Sequence, residues 1–249
     1  MKKKILSLII PAHNEEACIE DTLRKFNGVL LKEKIPHEIL VINDNSNDKT
    51  EEILIGLEKE IKELRHLNNT PPNGFGYAVV KGLENFKGDF VSIVMADLSD
   101  NPEDLVKYYQ KMEDGYDCVF GSRFIRGGKV IDYPVHKLIL NRILNNLIRA
   151  LFWINYNDTT NAFKMYRKEV IEGVKPFLSK HFNLTVEIPL KAIVRGYSYS
   201  VVPNSWKNRK TGISKLKIRE MGSRYFFIIL YCLLERWLSQ GDYRRKISS

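Results

Sequence analysis

Cysteine is scarce in this chain of 249 residues: Cys18, Cys118 and Cys232 are odd in number, far apart and in no C-x-x-C pair. That excludes a disulfide framework and a cysteine zinc site, and it fits a reducing, cytoplasmic compartment. Long apolar runs are missing too. The longest, residues 225–234, has ten residues, against roughly 18 or more needed to cross a bilayer. The opening MKKKILSLII has a basic start, but its apolar part is short and Pro11, Glu15 and Glu16 follow. It therefore reads as a buried strand and not as a signal peptide. Several phosphate and catalytic motifs are absent as well. There is no G-x-x-x-x-G-K-[ST], no H-E-x-x-H and no G-x-S-x-G, and the pair Gly74 and Gly76 has Val79 where a dinucleotide fingerprint needs its third glycine. An ordinary P-loop nucleotidase, a zincin and an α/β-hydrolase are thereby set aside.

What is present is a globular composition, 44% hydrophobic and 28% charged, enough for one large domain or two small ones. The net charge of +9 is unevenly spread: residues 207–246 carry eleven Lys/Arg against Glu220, Glu235 and Asp242. Such a basic tail suggests an anionic partner: phosphate, nucleic acid or a membrane surface. Its aromatics, Tyr225, Phe226 and Tyr231, are spaced like a buried or membrane-facing helix side. That spacing argues against the stacking platform of a nucleic-acid-binding module. Lys217, Arg219 and Arg224 precede the apolar run, and Arg236 and Trp237 follow it, the pattern of an interfacial helix on an anionic leaflet.

Strand and helix signals alternate along the first half. Strands are expected at residues 5–10, 38–42, 90–95 and 118–121. Helices are expected at 15–31, at 50 to about 64, at about 76–86, and from Pro102 behind an Asn101 cap. That alternation predicts βαβ units in a mainly parallel sheet. Further on, residues 138–154 have helical spacing, Asp158 to Lys164 form a polar loop, Glu187 lies in a helical segment and 201–206 form an edge strand. The expected division is a catalytic domain over 1–212 and a basic, aromatic-rich helical segment over 213–249.

In open parallel sheets ligands bind beyond the carboxyl ends of the strands. Polar clusters fall there: residues 11–15, 43–46, 96–100 and 121–123. Asp44 could accept hydrogen bonds from a base or ribose. Asp97 could ligate Mg²⁺ or Mn²⁺ bridging a diphosphate, with Arg123, Arg209 and Lys215 offsetting the remaining charge. Either aspartate would equally serve to cap a turn or helix.

The ordered stretches IIPAHNE (9–15), VINDNS (41–46), AD (96–97), GSRF (121–124) and GISKL (212–216) resemble the family-two inverting GT-A glycosyltransferases. The nearest branch is the polyprenyl (dolichyl) phosphate mannosyl- and glucosyltransferases. The resemblance implies an open Rossmann-like GT-A fold. It implies that Pro11, Ala12, His13, Glu15, Ile42 and Asp44 surround the nucleoside, and that Ala96, Asp97 and Ser99 line the metal–diphosphate region, with Asp97 and Ser99 on the metal. It also implies that Arg123, Arg209 and Lys215 act on the diphosphate and that Asp158 opens the loop before a strand. Two departures stand out: Met95 occupies the first position of the family's Asp-x-Asp, and Ser99 stands where the mannosyltransferases often place glutamine.

The expected reaction moves a hexose from a GDP- or UDP-sugar, with inversion, to a polyprenyl phosphate or a hydroxyl. Asp97, Arg123, Asp158 and Glu187 are the candidate catalytic groups, the last two as bases for a hydroxyl acceptor. A metal-dependent nucleotidyltransferase is the competing enzyme class. It lacks a glycine-rich loop with a following lysine near the first strand.

Overall fold

The computed structural model describes residues 3–208 and 218–245. Its first elements are β1 (Leu6–Ala12), α1 (Ile19–Lys32), β2 (His37–Asn43), α2 (Thr50–Leu57), β3 (Leu64–Asn68), α3 (Phe75–Asn85), β4 (Phe90–Ile93), α4 (Pro102–Glu113) and β5 (Cys118–Ser122). Then come β6 (Lys129–Ile131), α5 (Val135–Phe152), β7 (Lys164–Arg167), α6 (Lys168–Gly173), α7 (Leu184–Val194), β8 (Tyr199–Pro203), β9 (Ser205–Lys207) and α8 (Ile218–Leu238). Seven strands form one sheet in the order β3-β2-β1-β4-β7-β5-β8, and β6 pairs with β9 separately. All neighbours in the large sheet run parallel except β7, which is antiparallel to both β4 and β5.

Side chains on a strand alternate between faces, so a sheet covered on both sides reads as a continuous apolar run. Here Leu6, Leu8, Ile10, Ile39 and Val41 pack with α1, α2 and α4 on one face. Ile9, Leu40, Ile42, Val91 and Phe120 pack with α3, α5, α6, α7 and α8 on the other. This double burial explains why the inner strands are legible as unbroken apolar runs.

The expected helix from Thr50 to about Leu64 is a correction. It ends at Leu57, and Leu64–Asn68 becomes β3, paired with β2 at the sheet edge. Its sequence LRHLN buries only Leu64 fully, so an edge strand with polar side chains carries little period-2 signal. The expected boundary at 212/213 falls outside the described residues. α8 itself buries Ile228, Ile229, Cys232 and Leu233 in the second of these clusters, and Arg195 at the end of α7 pairs with Glu235 at 2.7 Å.

Candidate functional site

β1 is the point where strand order reverses. The chain passes from β1 to β2 on one side, then returns past it to β4 on the other. α1 covers one face and α3 the opposite one, so the loops after β1 and β4 diverge and leave a crevice at their carboxyl ends.

The loops after β1 and β2 are tied to each other. His13 Nδ1 is 2.7 Å from the Asp44 carbonyl, and the Glu15 backbone N–H donates to Thr50 Oγ1 at 2.9 Å. Asp44 is buried, and its two carboxylate oxygens accept from Asn69 Nδ2 and from the Gly74 N–H, each at 2.8 Å. Gly74 has φ +138°, a conformation that favours glycine, and it is the residue before α3. Asp44 thus fixes the β3–α3 connection against the end of β2. Beside it Asn43, Asn45, Ser46, Asn68 and Asn69 help to line a polar cleft of ≈ 280 Å³. Pro11 is partly buried at the end of β1. The side chains of Ala12 and Ile42, expected near the nucleoside, and of Ala96, expected at the metal–diphosphate region, lie in the core. The Ala96 carbonyl accepts from the buried Thr22 Oγ1 of α1 at 2.7 Å, which ties the end of β4 to that helix.

The turn after β4 presents Asp97, partly exposed, with Oδ1 accepting the Ser99 N–H at 3.1 Å. Leu98 between them has φ +54°, which closes the turn tightly. Ser99 and Asp100 are buried. Burial, reinforced by the charge of Asp97, pushes the Asp100 carboxyl up to about 7. The turn is stitched to β9: the Lys207 N–H donates to the Ser99 carbonyl at 3.0 Å, and Asp100 bridges to Trp206.

Opposite, at the end of β5, Arg123 is buried and held in a fork by Asp158. Its Nε donates at 2.8 Å, its Nη2 at 2.7 Å and its backbone N–H at 3.0 Å. Its guanidinium also lies over Phe124, Tyr133 and Trp206, at 5.4, 5.8 and 5.9 Å from the ring centres. Burial works against the charge, but Asp158 outweighs it and holds the arginine firmly protonated. The preceding Gly121 has no room for a side chain, since a Cβ would lie 1.8 Å from Tyr108 Oη.

The 158–161 loop is pinned from beneath by Lys164. The Nζ of this fully buried residue donates to the carbonyls of Thr159 and Thr185 at 3.0 Å and to that of Asn161. Desolvation draws its ammonium down to about 7 against the pull of Asp158.

Asp158 and Glu187 were expected as bases for a hydroxyl acceptor, and both are otherwise engaged. Both carboxylate oxygens of Asp158 accept from Arg123. Glu187 is fully buried, accepts the Leu178 and Ser179 N–H groups at 2.7 and 2.6 Å, and pairs with Lys191 at 2.6 Å. A carboxylate so bound holds a turn in place. Arg209 and Lys215 lie outside the described residues. Two neighbours carry little signal in the sequence. Lys164 looks like a surface lysine in one dimension. Arg142 stacks over Phe124 at 4.2 Å and donates to the Asn157 carbonyl at 2.8 Å; its only sequence signal was a basic residue in a helix without acids.

Residues 7–174 match the family described as glycosyl transferase family 2. The chain is 31% identical over 215 residues to a dolichol-phosphate mannosyltransferase of Pyrococcus furiosus, covering 85% of this chain and 59% of that protein. It thus spans under two thirds of that relative's length. It is 29% identical over 220 residues to a polyprenol monophosphomannose synthase of Mycolicibacterium smegmatis, covering 84% and 80%. Among solved structures it resembles glucosyl-3-phosphoglycerate synthase of Mycobacterium tuberculosis, in complex with Mn²⁺, UDP and glucosyl-3-phosphoglycerate. The TM-score is 0.68 at 18% identity, covering 94% of this chain and 80% of that one. A second structure of that synthase, with Mg²⁺ and UDP, gives 0.67 at 18% identity, with coverage of 94% and 79%. These structures share the open α/β fold.

Proposed function

The chain belongs to glycosyl transferase family 2, and from that membership we propose that it transfers a hexosyl group from a GDP- or UDP-sugar to a phosphate-bearing acceptor, with inversion. One observation carries the reading. The turn after β4 carries Asp97, the end of β5 carries a buried arginine, Arg123, locked by Asp158, and Trp206 links the two by bridging to Asp100 and lying against the guanidinium.

In the proposed reaction the acceptor oxygen attacks the anomeric carbon, and the bond from that carbon to the diphosphate breaks. The bonding pair leaves on the diphosphate, whose new charge is where fixed cations lower the barrier most. Arg123 cannot lose its proton at working pH, and its planar fork is already oriented by Asp158, so it costs no reorganisation during transfer. Arg209 and Lys215 would add charge at the same place.

The donor set fits a divalent ion held jointly with the donor. No group of three or more ligand-type side chains sits together among the described residues, so the protein alone offers no cage. Mg²⁺ and Mn²⁺ are satisfied by one or two carboxylates when phosphate oxygens and water supply the rest. Asp97 would be the principal ligand. Met95 cannot substitute for a carboxylate, because a thioether is a poor ligand for a hard cation. Ser99, buried in the turn, would contribute at most its hydroxyl. The ion would neutralise diphosphate charge. The nucleoside would lie against His13, Glu15 and Asp44, whose carboxylate oxygens each retain a second lone pair.

The acceptor class follows from what Asp158 and Glu187 are doing. A hydroxyl must surrender a proton, and both expected bases are held in ion pairs, Asp158 with Arg123 and Glu187 with Lys191. An acceptor phosphate is already an anion and needs none. Relatives named for dolichol phosphate and polyprenol point to a polyprenyl phosphate. The test is a panel of GDP- and UDP-hexoses with polyprenyl phosphate or a polyprenol as acceptor, with Mn²⁺ present or chelated. Transfer to the phosphate alone, lost on chelation, supports the reading. Equal transfer to the alcohol, or transfer without metal, overturns it.

A further inference from the structure

Arg224 belongs to the basic C-terminal stretch, yet it stands with the loop between α6 and α7. Ser179, Lys180, His181 and Asn183 of that loop, with Arg224 and Phe227 of α8, help to line a cleft of ≈ 410 Å³, a size typical of small-molecule sites. Among the described residues its lining contains no carboxylate.

The loop is held in one shape. Buried Glu187 accepts the N–H groups of Leu178 and Ser179 at 2.7 and 2.6 Å, and Lys191 donates to the Pro176 carbonyl at 2.6 Å. Phe75 of α3 stacks on Phe182 with ring centres 4.2 Å apart. Gly76 lets the loop backbone come so close that a Cβ there would lie 2.2 Å from the Lys180 carbonyl carbon. The charges of Glu187 and Lys191 offset each other, so this support leaves the cations of the cleft unneutralised.

Two polar groups in the wall have no use within the described fold. Ser179 Oγ and Asn183 Oδ1 are buried and make no hydrogen bond among the described residues, although an unpaired buried polar group costs about 1–3 kcal/mol. A ligand in the cleft supplies what each lacks. The Ser179 hydroxyl donates to an anionic oxygen, and the Asn183 amide accepts from a hydroxyl or, turned by half, donates from its nitrogen. Asn183 is also the residue before α7, and a helix N-terminus carries partial positive charge that favours an anion. A phosphate monoester has a charge of about −2 at neutral pH and three acceptor oxygens, which match Lys180, Arg224 and Ser179 as donors. We propose that the cleft between the 178–183 loop and α8 is a second anion site, separate from the crevice, and that it binds a phosphate monoester. Its lining shares no residue with those assigned to the crevice, so the inference stands whichever sugar or acceptor that site uses.

The experiment is a titration of the full chain with inorganic phosphate at constant ionic strength, read in the imidazole NMR signals of its histidines. His181 stands in the cleft and His13 in the crevice, so the two sites report separately, and His181→Gln identifies the first signal. That signal should move saturably, while chloride at the same ionic strength leaves it still. Lys180→Ala with Arg224→Ala should raise the midpoint more than about tenfold, and Ser179→Ala about threefold. Lys59→Ala, at an exposed lysine beyond α2, should leave it unchanged, which separates a site from net charge. Unaltered circular dichroism in each variant separates a lost site from a lost fold. Methyl phosphate and dihexanoyl phosphatidic acid are then compared, and the tighter of the two identifies the source as a free ester or a lipid headgroup. Movement of the His13 signal alone overturns the proposal. So does a His181 midpoint that the double substitution does not change, or an equal response to chloride.

Discussion

α1 and α5 are both long surface helices, and they are built in opposite senses. α1 buries Ile19, Leu23, Phe26 and Leu30 against the sheet and turns Glu20, Asp21, Arg24 and Lys25 outward. α5 turns Ile139, Ile143 and Leu147 outward and keeps Asn145 inside. Asn145 Nδ2 donates to Thr160 Oγ1 at 2.9 Å, and the Thr160 N–H returns a bond to Asn145 Oδ1 at 3.2 Å. The first helix spends its inner side on hydrophobic burial. The second spends part of it on positioning the 158–161 loop that carries Asp158, and leaves its apolar residues exposed. The half proposed to bind the donor is finished as it packs. The other half has the loop that holds Arg123 on its inner side and exposed apolar residues on its outer side.

The largest effect is expected where the two halves meet. Asp97→Asn should reduce sugar transfer by about a thousandfold or more, with an unchanged melting curve. Near-normal Mn²⁺-dependent turnover in a steady-state assay would move the metal elsewhere and dissolve the distinction between a donor wall and an acceptor wall. Next comes the loop that α5 supports. Asp158→Asn should lower stability in urea unfolding by about 3–5 kcal/mol, because Arg123 is left buried without its counter-charge. Asp158→Asn combined with Arg123→Met should cost less than Asp158→Asn alone; additive losses would show that the pair is not the unit holding the loop.

Glu187→Gln tests whether a buried charge outside the crevice behaves differently. It should cost about 3 kcal/mol through the stranded Lys191, yet leave kcat and KM unchanged where the protein is folded. A pH–rate profile altered by this substitution would restore Glu187 as a base. The smallest change is expected for Asp44→Ala. It should weaken nucleoside diphosphate binding about tenfold in calorimetry and cost about 1–2 kcal/mol of stability, since the Gly74 N–H and Asn69 lose their acceptor. Unchanged affinity would confine Asp44 to fixing its loop.

The donor half was largely legible in the sequence for the same reason that it is finished. Strands buried on both faces read as apolar runs, and loops at their ends read as polar clusters, so residues 11–15, 43–46 and 96–100 could be placed at strand ends by position alone. β3 was not, because an edge strand that buries only Leu64 fully continues the helical spacing of α2. The acceptor half was legible in its motifs and opaque in its partners. GSRF marked Arg123, but nothing in one dimension says that Asp158, 35 residues on, holds its Nε and Nη2. Lys164 is a lysine like any other until the fold buries it beneath three carbonyls. Periodicity also cannot say which side of a helix faces in. The spacing of residues 138–154 gave a helix, and only packing shows its apolar residues pointing out.

The reversal of β7 has one more consequence. Because Lys164 lies opposite Ile93 and Phe120 while Arg167 lies opposite Phe90, the strand enters the sheet at the crevice and leaves at the far rim. Every loop relevant to chemistry therefore gathers at one pole. The connections at the other pole, residues 33–36, 87–89 and 114–117, carry none of it. That pole is the place for a fluorophore, an affinity handle or a surface tether: a molecule immobilised there would keep its crevice open to solution.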